Sequence, residues 1–293
     1  MIRSTPALLG ACSLASLMFL SACNTTTNTS STIVGPSALE QALSTRSADA
    51  IARDSQRHPA QTLAFFDVQP GMTVAEALPG GGWYTNILAN YLGGEGTLYG
   101  VNYADRLWSM FGFFSEETIA ERIASTAMFP QLVAGFTNTG VQAQGFTFET
   151  VPEEVNGTVD RVLLIRALHN LNRFEPNTGV RSQALTAVHS LLKDDGMVGV
   201  VQHRAPADAE DSGADGSRGY LKQAMVIELF EEAGFKLVAS SEINANPKDQ
   251  PGESDIVWRL PPSYSGSKDD PAKKAAMTAI GESDRMTLLF RKK

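Results

Sequence analysis

Cysteine is nearly absent, with two residues in 293, Cys12 and Cys23. Two thiols make neither a disulfide scaffold nor a four-cysteine zinc site. Histidine is almost as scarce. The four are His58, His169, His189 and His203, and no two share a metal-ligand spacing, so no metal is expected. Positive charge is also short. Lys and Arg number 24 against 32 Asp and Glu, a net charge of −8. That balance argues against a nucleic-acid partner, which needs a basic face to meet phosphates. No apolar run reaches the ~20 residues of a spanning helix, which excludes a polytopic membrane protein. No Gly-Lys-Ser/Thr follows a glycine loop, which excludes a Walker site. What is present is ordinary: 43% apolar and 19% charged residues. Such a composition excludes collagenous, coiled-coil and wholly disordered chains. At ~150 residues per domain the length allows one large α/β domain or two small ones, either able to bury a core without staples.

The N-terminus has the pattern of an address. Arg3 supplies a positive start, Pro6 to Leu20 is apolar or small without charge, and the stretch ends in Leu20-Ser21-Ala22-Cys23. This ending resembles the lipobox of bacterial lipoprotein precursors. The resemblance implies removal of residues 1–22, lipidation of Cys23 and attachment to a membrane of the cell envelope. Asn24, where an aspartate would signal inner-membrane retention, points to the outer membrane, facing the periplasm. Residues 23–36, with Asn24 to Thr32 reading NTTTNTSST, form a polar tether without periodicity. The folded part is expected over 37–293.

Within it, Ser37 to Ala60 is helix-prone, with Leu39, Leu43, Ala48 and Ile51 on one face, and Pro59 breaks it or opens a next helix anchored by Leu63, Ala64 and Phe66. Strands are expected at Thr73–Leu78, Thr97–Val101, near Gly145–Val151, Val159–Ala167, Met197–Gln202, Phe235–Ile243 and Arg285–Arg291. Helices are expected at Trp83–Leu92, through most of Tyr103–Phe136, and at Thr178–Lys193 and Tyr220–Ala233. Ala205–Gly219 and Asn246–Pro271 are expected as loops. Strands alternating with helices imply a mostly parallel sheet covered on both faces. No long helix separates the last two strands in the pattern, so an antiparallel final pair is plausible.

The informative stretch is an apolar strand that runs into Pro79-Gly80-Gly81-Gly82 and then a helix. Glycines let the backbone turn tightly and let a ligand approach main-chain N–H groups. A dinucleotide fingerprint would need glycine where Thr85 stands. Glu76 followed by Gly80 and Gly82 resembles the first motif of class I S-adenosylmethionine-dependent methyltransferases, an acidic residue before G-x-G-x-G. Leu78 stands where its first glycine belongs. The resemblance continues through Phe65–Gly71, Asp160–Asn170, Leu191–Val201, Phe230–Leu237 and Met286–Phe290. More narrowly, the chain is similar to a group of bacterial methyltransferases that often carry export signals. The resemblance implies a Rossmann-like α/β fold, a seven-stranded mostly parallel sheet of order 3-2-1-4-5-7-6 with an antiparallel last strand and helices on both faces. It implies S-adenosylmethionine over the carboxyl ends of strands 1 and 2, near Glu76, Pro79, Gly80, Gly81, Gly82 and Asn102. At the end of strand 2 the family commonly has an acid that accepts from both ribose hydroxyls. Asn102 stands there, with Asp105 further along. Hydrogen bonds to charged groups contribute roughly 1.5–3 kcal/mol against roughly 1 for neutral ones, so this change weakens the expected cofactor site.

Methyl transfer from a sulfonium needs alignment more than acid–base machinery. His169 at the fourth-strand exit is the candidate base, or a strand-end cap, with Asn170 beside it as a substrate contact. His203 and Arg204 are candidates for an anionic substrate, or for surface ion pairs. Tyr84 is a candidate lining residue, or a packed ring. Arg57-His58-Pro59, with Asp54, makes a lid or a structural cap. Trp108, Phe111, Phe113 and Phe114 roof an apolar substrate pocket or pack in the core. Asp208, Glu210, Asp211 and Asp215 read as a solvated loop. Two functions are in view: a methyltransferase acting on a small molecule, or a non-catalytic envelope lipoprotein that reuses the fold to bind a ligand or protein. A dinucleotide-dependent oxidoreductase is disfavoured by the missing third glycine.

Overall fold

The computed structural model describes residues 37–293. The expected export signal, the lipidation of Cys23 and the tether lie outside the described residues. Where the sequence suggests one helix-prone stretch before Pro59, the chain makes three short helices, α1 (Ala38–Ser44), α2 (Ala48–Ile51) and α3 (Asp54–Arg57), and Pro59 opens the next, α4 (Pro59–Phe65), as one of its two expected roles. Ser37 and Glu40 form a capping box on α1. Ser47 caps α2. Pro59, which starts a helix but cannot continue one, opens α4 behind a left-handed His58.

Then follow β1 (Thr73–Ala77), α5 (Trp83–Leu92), β2 (Thr97–Asn102), α6 (Asp105–Met110), α7 (Glu116–Ala127), α8 (Phe129–Ala134) and β3 (Gln142–Thr147). After them come β4 (Val159–Ile165), α9 (Leu168–Thr178), α10 (Val180–Leu191), β5 (Leu192–His203), α11 (Gln223–Glu232), β6 (Phe235–Ser241), α12 (Pro271–Ile280) and β7 (Arg285–Lys292). β3 starts earlier than its expected span because Gln142 and Gln144 hide the alternation of a strand whose first half is poorly buried. The polar α9 and the exposed α12 are additions to the expected elements. Among the described residues no helix is long and apolar enough to cross a membrane.

The strands form one sheet of order β3-β2-β1-β4-β5-β7-β6. β3, β2, β1, β4 and β5 pair in parallel, and β7 runs antiparallel between β5 and β6. This is the Rossmann-like class I methyltransferase topology. The chain leaves β1 toward β2 and β3, then returns to β1's other side with β4. The carboxyl ends of β1 and β4 therefore flank the switch in strand order, where α/β sheets form a crevice.

Both faces of the sheet are sealed. On one, Ala75, Val162, Leu164, Val198, Val200 and Leu288 pack with Leu171, Leu185, Val188 and Phe230 from α9, α10 and α11. On the other, Val74, Leu98, Leu163 and Leu289 pack with Leu63, Ile87, Leu88 and Phe129 from α4, α5 and α8. Each such side chain contributes roughly 1.5–3 kcal/mol on burial. Gly199 in the middle of β5 lets Phe66 lie flat on the sheet, since a methyl group there would meet the Phe66 ring at 2.6 Å. Phe66 is itself fully buried and cannot give way. Gly199→Ala is expected to lower stability by about 1–3 kcal/mol, read as a shift in urea midpoint at constant slope; an unchanged midpoint contradicts this packing.

Candidate functional site

At the carboxyl edge of the sheet, two strand exits use backbone conformations that side chains other than glycine rarely adopt. Leu78 follows β1 with φ 55° and Arg166 follows β4 with φ 58°. Each still donates its N–H to the neighbouring strand, Leu78 to Val101 at 2.9 Å and Arg166 to Val201 at 2.7 Å. Such conformations cost on the order of 1–3 kcal/mol and cluster at functional sites.

Both residues line a cavity of about 790 Å³, a size usual for small-molecule sites. Its floor is formed by Leu78, Tyr103, Ile165, Arg166, His169, Asn170 and His203, at the ends of β1, β2, β4 and β5. One wall is aromatic: Trp108, Phe111, Phe113 and Phe114 from α6 and the turn after it. Trp108 and Phe111 stack at 5.8 Å, and Phe111 meets Phe114 at 5.3 Å. The opposite side comes from the connection between β6 and α12, with Ile256, Trp258, Ser263, Ser265 and Lys268. Arg122 and Arg173 reach in from α7 and α9.

His169 is buried at the start of α9. Gln202 donates its amide nitrogen to Gly219 O at 2.9 Å and to His203 O at 3.3 Å, so its oxygen faces His169 Nδ1 at 3.4 Å. His169 then carries its proton on Nδ1 and keeps Nε2 as an acceptor. Burial, with Arg166 and Arg173 nearby, pulls the His169 pKa down to about 4 against the opposing hydrogen bond from Gln202. The ring is neutral at pH 7. His203 lies 5.6 Å away, ring to ring, with Nδ1 2.6 Å from Ser283 Oγ. Its pKa is held well below the ordinary value by burial, then by His169, Arg166, Arg285 and Arg57.

Behind the floor lies a knot of charge. Glu282 accepts from Arg53 at 2.9 Å, from Arg57 at 3.0 Å and from Arg285 at 3.1 Å. These arginines keep its carboxyl below the usual range although burial pushes the other way. Burial and Arg166 pull Arg57 down to about 9 despite Glu282. Arg166 is drawn down to about 10, chiefly by burial, with Arg285 and Arg53 adding to it against the attraction of Glu282.

Of the residues singled out in the sequence, the cavity brings together His169, Asn170, His203 and the aromatic cluster. The others sit elsewhere. Glu76 is sealed under α5, accepting from Thr85 Oγ1 at 2.6 Å, and burial lifts its carboxyl to about 7. Tyr84 is a buried ring on the α5 side, 4.8 Å from Trp83. Arg204 is taken up by Asp284 at 2.8 Å and Glu242 at 2.6 Å, away from the cavity. Asn102 is buried and donates to Thr126 Oγ1 at 2.9 Å on α7, and Asp105 is exposed. None of Pro79, Gly80, Gly81 and Gly82 lines the cavity. A methyl group on Gly82 would meet the Phe136 ring at 2.5 Å, so this glycine serves packing. Arg57 lies over the Trp83 ring at 4.6 Å and its neighbour Asp54 pairs with Arg46, which makes this element structural.

Arg166, Tyr103, Arg122, Arg173 and Trp258 escaped the sequence reading. Arg166 had a signal, as a cation closing the apolar run Val162–Ile165. The rest are gathered from distant segments by the fold. No group of three His, Cys, Asp or Glu that could hold a metal converges among the described residues.

No protein-family model matches the chain, and no curated protein matches it. Solved structures similar to it include a SAM-dependent methyltransferase from Aquifex aeolicus, 16% identical over 70% of this chain and 93% of that one, TM-score 0.46. The [4+2]-cyclase SpnF is 14% identical over 81% and 80%, TM-score 0.49. Geranyl diphosphate C-methyltransferase from Streptomyces coelicolor, solved with Mg²⁺, geranyl diphosphate and S-adenosyl-L-homocysteine, is 11% identical over 83% and 81%, TM-score 0.48. Superpositions this loose name no activity for the chain, whose site has to be read from its own residues.

At three points those residues do not fit S-adenosylmethionine as the resembling family holds it. Leu78 lines the cavity at the loop position where a glycine would let the donor approach the backbone. Asn102, at the ribose position, gives its amide nitrogen to Thr126 on α7 and does not line the cavity. No Asp or Glu lines the cavity among the described residues, whereas Arg122, Arg166, Arg173 and Lys268 do. A sulfonium and an ammonium gain nothing there: like charges ~4 Å apart cost about 4 kcal/mol at the effective dielectric of a partly buried site.

The His169 geometry makes a pH prediction. Its pKa falls from 6.5 unfolded to about 4 folded, so between those values the unfolded chain binds more protons and acid destabilises the fold. The stability of wild type minus that of His169→Gln is expected to be constant above pH 7 and to shrink by roughly 3 kcal/mol by pH 4. Urea unfolding at stepped pH checks this; parallel profiles contradict a buried neutral His169.

Proposed function

We propose that this protein is a small-molecule-binding lipoprotein of the bacterial cell envelope, built on the methyltransferase fold and without methyl-transfer activity. In this reading lipid on Cys23 holds it at the outer membrane, facing the periplasm, and the polar tether lets the folded part stand off the surface. The observation that carries the reading is Leu78, a bulky residue held at positive φ and lining the cavity where the motif has glycine. Asn102, committed to Thr126, supports it. So does the export pattern of residues 1–23, since the methyl donor is made in the cytoplasm and is not expected beyond it.

A second reading, S-adenosylmethionine-dependent methylation of a small molecule, is favoured by one placement. His169, Asn170 and His203 line a single cavity on the carboxyl edge beside the β1/β4 switch. There His169 Nε2 would be the proton acceptor.

Calorimetric titration with S-adenosylhomocysteine separates the two. The binding-protein reading expects no heat up to millimolar ligand and no methyl transfer from labelled donor to extracts of the cell envelope. Micromolar binding, or a labelled product, establishes the second reading in its place.

A further inference from the structure

The geometry points to an amphipathic organic anion as the ligand of this cavity, its carboxylate, sulfonate or phosphate meeting Arg166 and its apolar body lying along Trp108, Phe111 and Phe114. This rests on the binding reading above and names the ligand class of the same site.

The chain as a whole is acidic, with a net charge of −8, yet the described residues lining the cavity include four cations and no carboxylate. The inversion is local and the fold does not require it. Arg166 has no hydrogen bond or ion pair through its guanidinium. The carboxylate that attracts it, Glu282, is already shared by Arg53, Arg57 and Arg285. Two of those arginines keep buried donors without a partner, Arg57 Nη2 and Arg285 Nε, so positive charge and N–H groups are in excess behind the floor. An anion at Arg166 supplies the missing countercharge, and a planar guanidinium suits a carboxylate, sulfonate or phosphate.

The body of the ligand is defined by the wall. Arg122 lies over Phe114 at 4.3 Å and over Trp108 at 5.0 Å, and Arg173 lies over Phe174 at 4.8 Å. Guanidiniums stacked on rings keep their edges for hydrogen bonding while the rings stay apolar. Trp108 Nε1 and Arg122 Nε are buried donors with no partner, and Asn170 Oδ1 is a buried acceptor with none. These atoms are closed off within the walls, so the groups that meet a guest are the guanidiniums of Arg122, Arg166 and Arg173 and the Lys268 ammonium. At the rim Phe113 is 70% exposed, an apolar lip on which a ring or chain can rest. His169 and His203 are neutral at pH 7 and add no charge of either sign.

The test uses the full chain carrying Cys23→Ser, which has no lipid, and two fluorescent probes that share the anilinonaphthalene body and differ by the sulfonate group: 8-anilinonaphthalene-1-sulfonate and the uncharged N-phenyl-1-naphthylamine. The sulfonate is expected to bind about tenfold or more tightly than its neutral twin. Arg166→Gln should abolish most of that preference while leaving the neutral probe unchanged, and Arg166→Lys should keep part of it. If Arg166→Gln fails to fold, Arg173→Gln is expected to show a smaller loss in the same direction. Equal affinity for the two probes, or a preference that survives both glutamine variants, overturns the inference while leaving a binding protein of another ligand class. Displacement of the sulfonate probe by micromolar S-adenosylhomocysteine overturns the binding-protein reading and the anion assignment with it, since it puts the probe on the donor's own site.

Discussion

One buried carboxylate organises the carboxyl edge of this sheet. Glu282, in the turn between α12 and β7, is gripped by Arg53 and Arg57 from the N-terminal helices and by Arg285 at the start of β7. It ties the first described segment to one of the last and draws the N-terminal helices across the α5 side of the sheet, where Arg57 and Arg46 lie over Trp83. Removing one partner of such a buried group typically costs about 3–5 kcal/mol, because the remaining charges lose their compensation. The same arrangement sets the character of the cavity. With Glu282 fully engaged, Arg166 is left facing the cavity without a carboxylate of its own.

This constraint separates the scaffold from the site. The strand order, the switch between β1 and β4 and the helices on both faces follow the class I methyltransferase plan. The residues that the resemblance assigns to a methyl donor stand outside the cavity, Leu78 excepted. Glu76 is closed over by α5 and Thr85, Gly82 is pressed by Phe136, Asn102 gives its amide nitrogen to Thr126 on α7, and Leu78 lines the cavity at the loop. The edge instead collects guanidiniums, aromatic rings and unpaired donors. A fold does not carry its chemistry with it; the chemistry lies in the side chains grafted on the strand ends.

Much of the scaffold was legible in the sequence because its signals are local. The run Thr73–Leu78 into three glycines gave the first strand, loop and helix, and α5 begins and ends where its glycines place it. The apolar runs of β4, β5 and β7 were equally plain. The helices before Pro59 were not, because one apolar periodicity runs through three segments that are broken at Ser47 and Arg53, whereas the helix opening at Pro59 was. α12 buries no side chain, and the apolar face of α9, Leu168, Leu171 and Phe174, is set among polar residues and carries Pro176. The site was only half legible. His169, Asn170 and His203 sit at strand exits that pattern alone could place. The charge of the cavity is built from α7, α9, the β4 exit and the β6–α12 connection, and that sum exists only in the fold. Arg204 illustrates the limit, since its neighbours Asp284 and Glu242 are far away in sequence and adjacent in space.

The central claim is that an organic anion lies with its charged group on Arg166 and its body on the aromatic wall. The most direct measurement is a crystal structure of the protein with 4-bromobenzoate, located by the anomalous signal of bromine. The account predicts bromine beside Trp108 and Phe111, and the carboxylate within hydrogen-bond distance of the Arg166 guanidinium. A cavity that stays free of the compound, or a carboxylate turned away from Arg166 toward solvent, contradicts it.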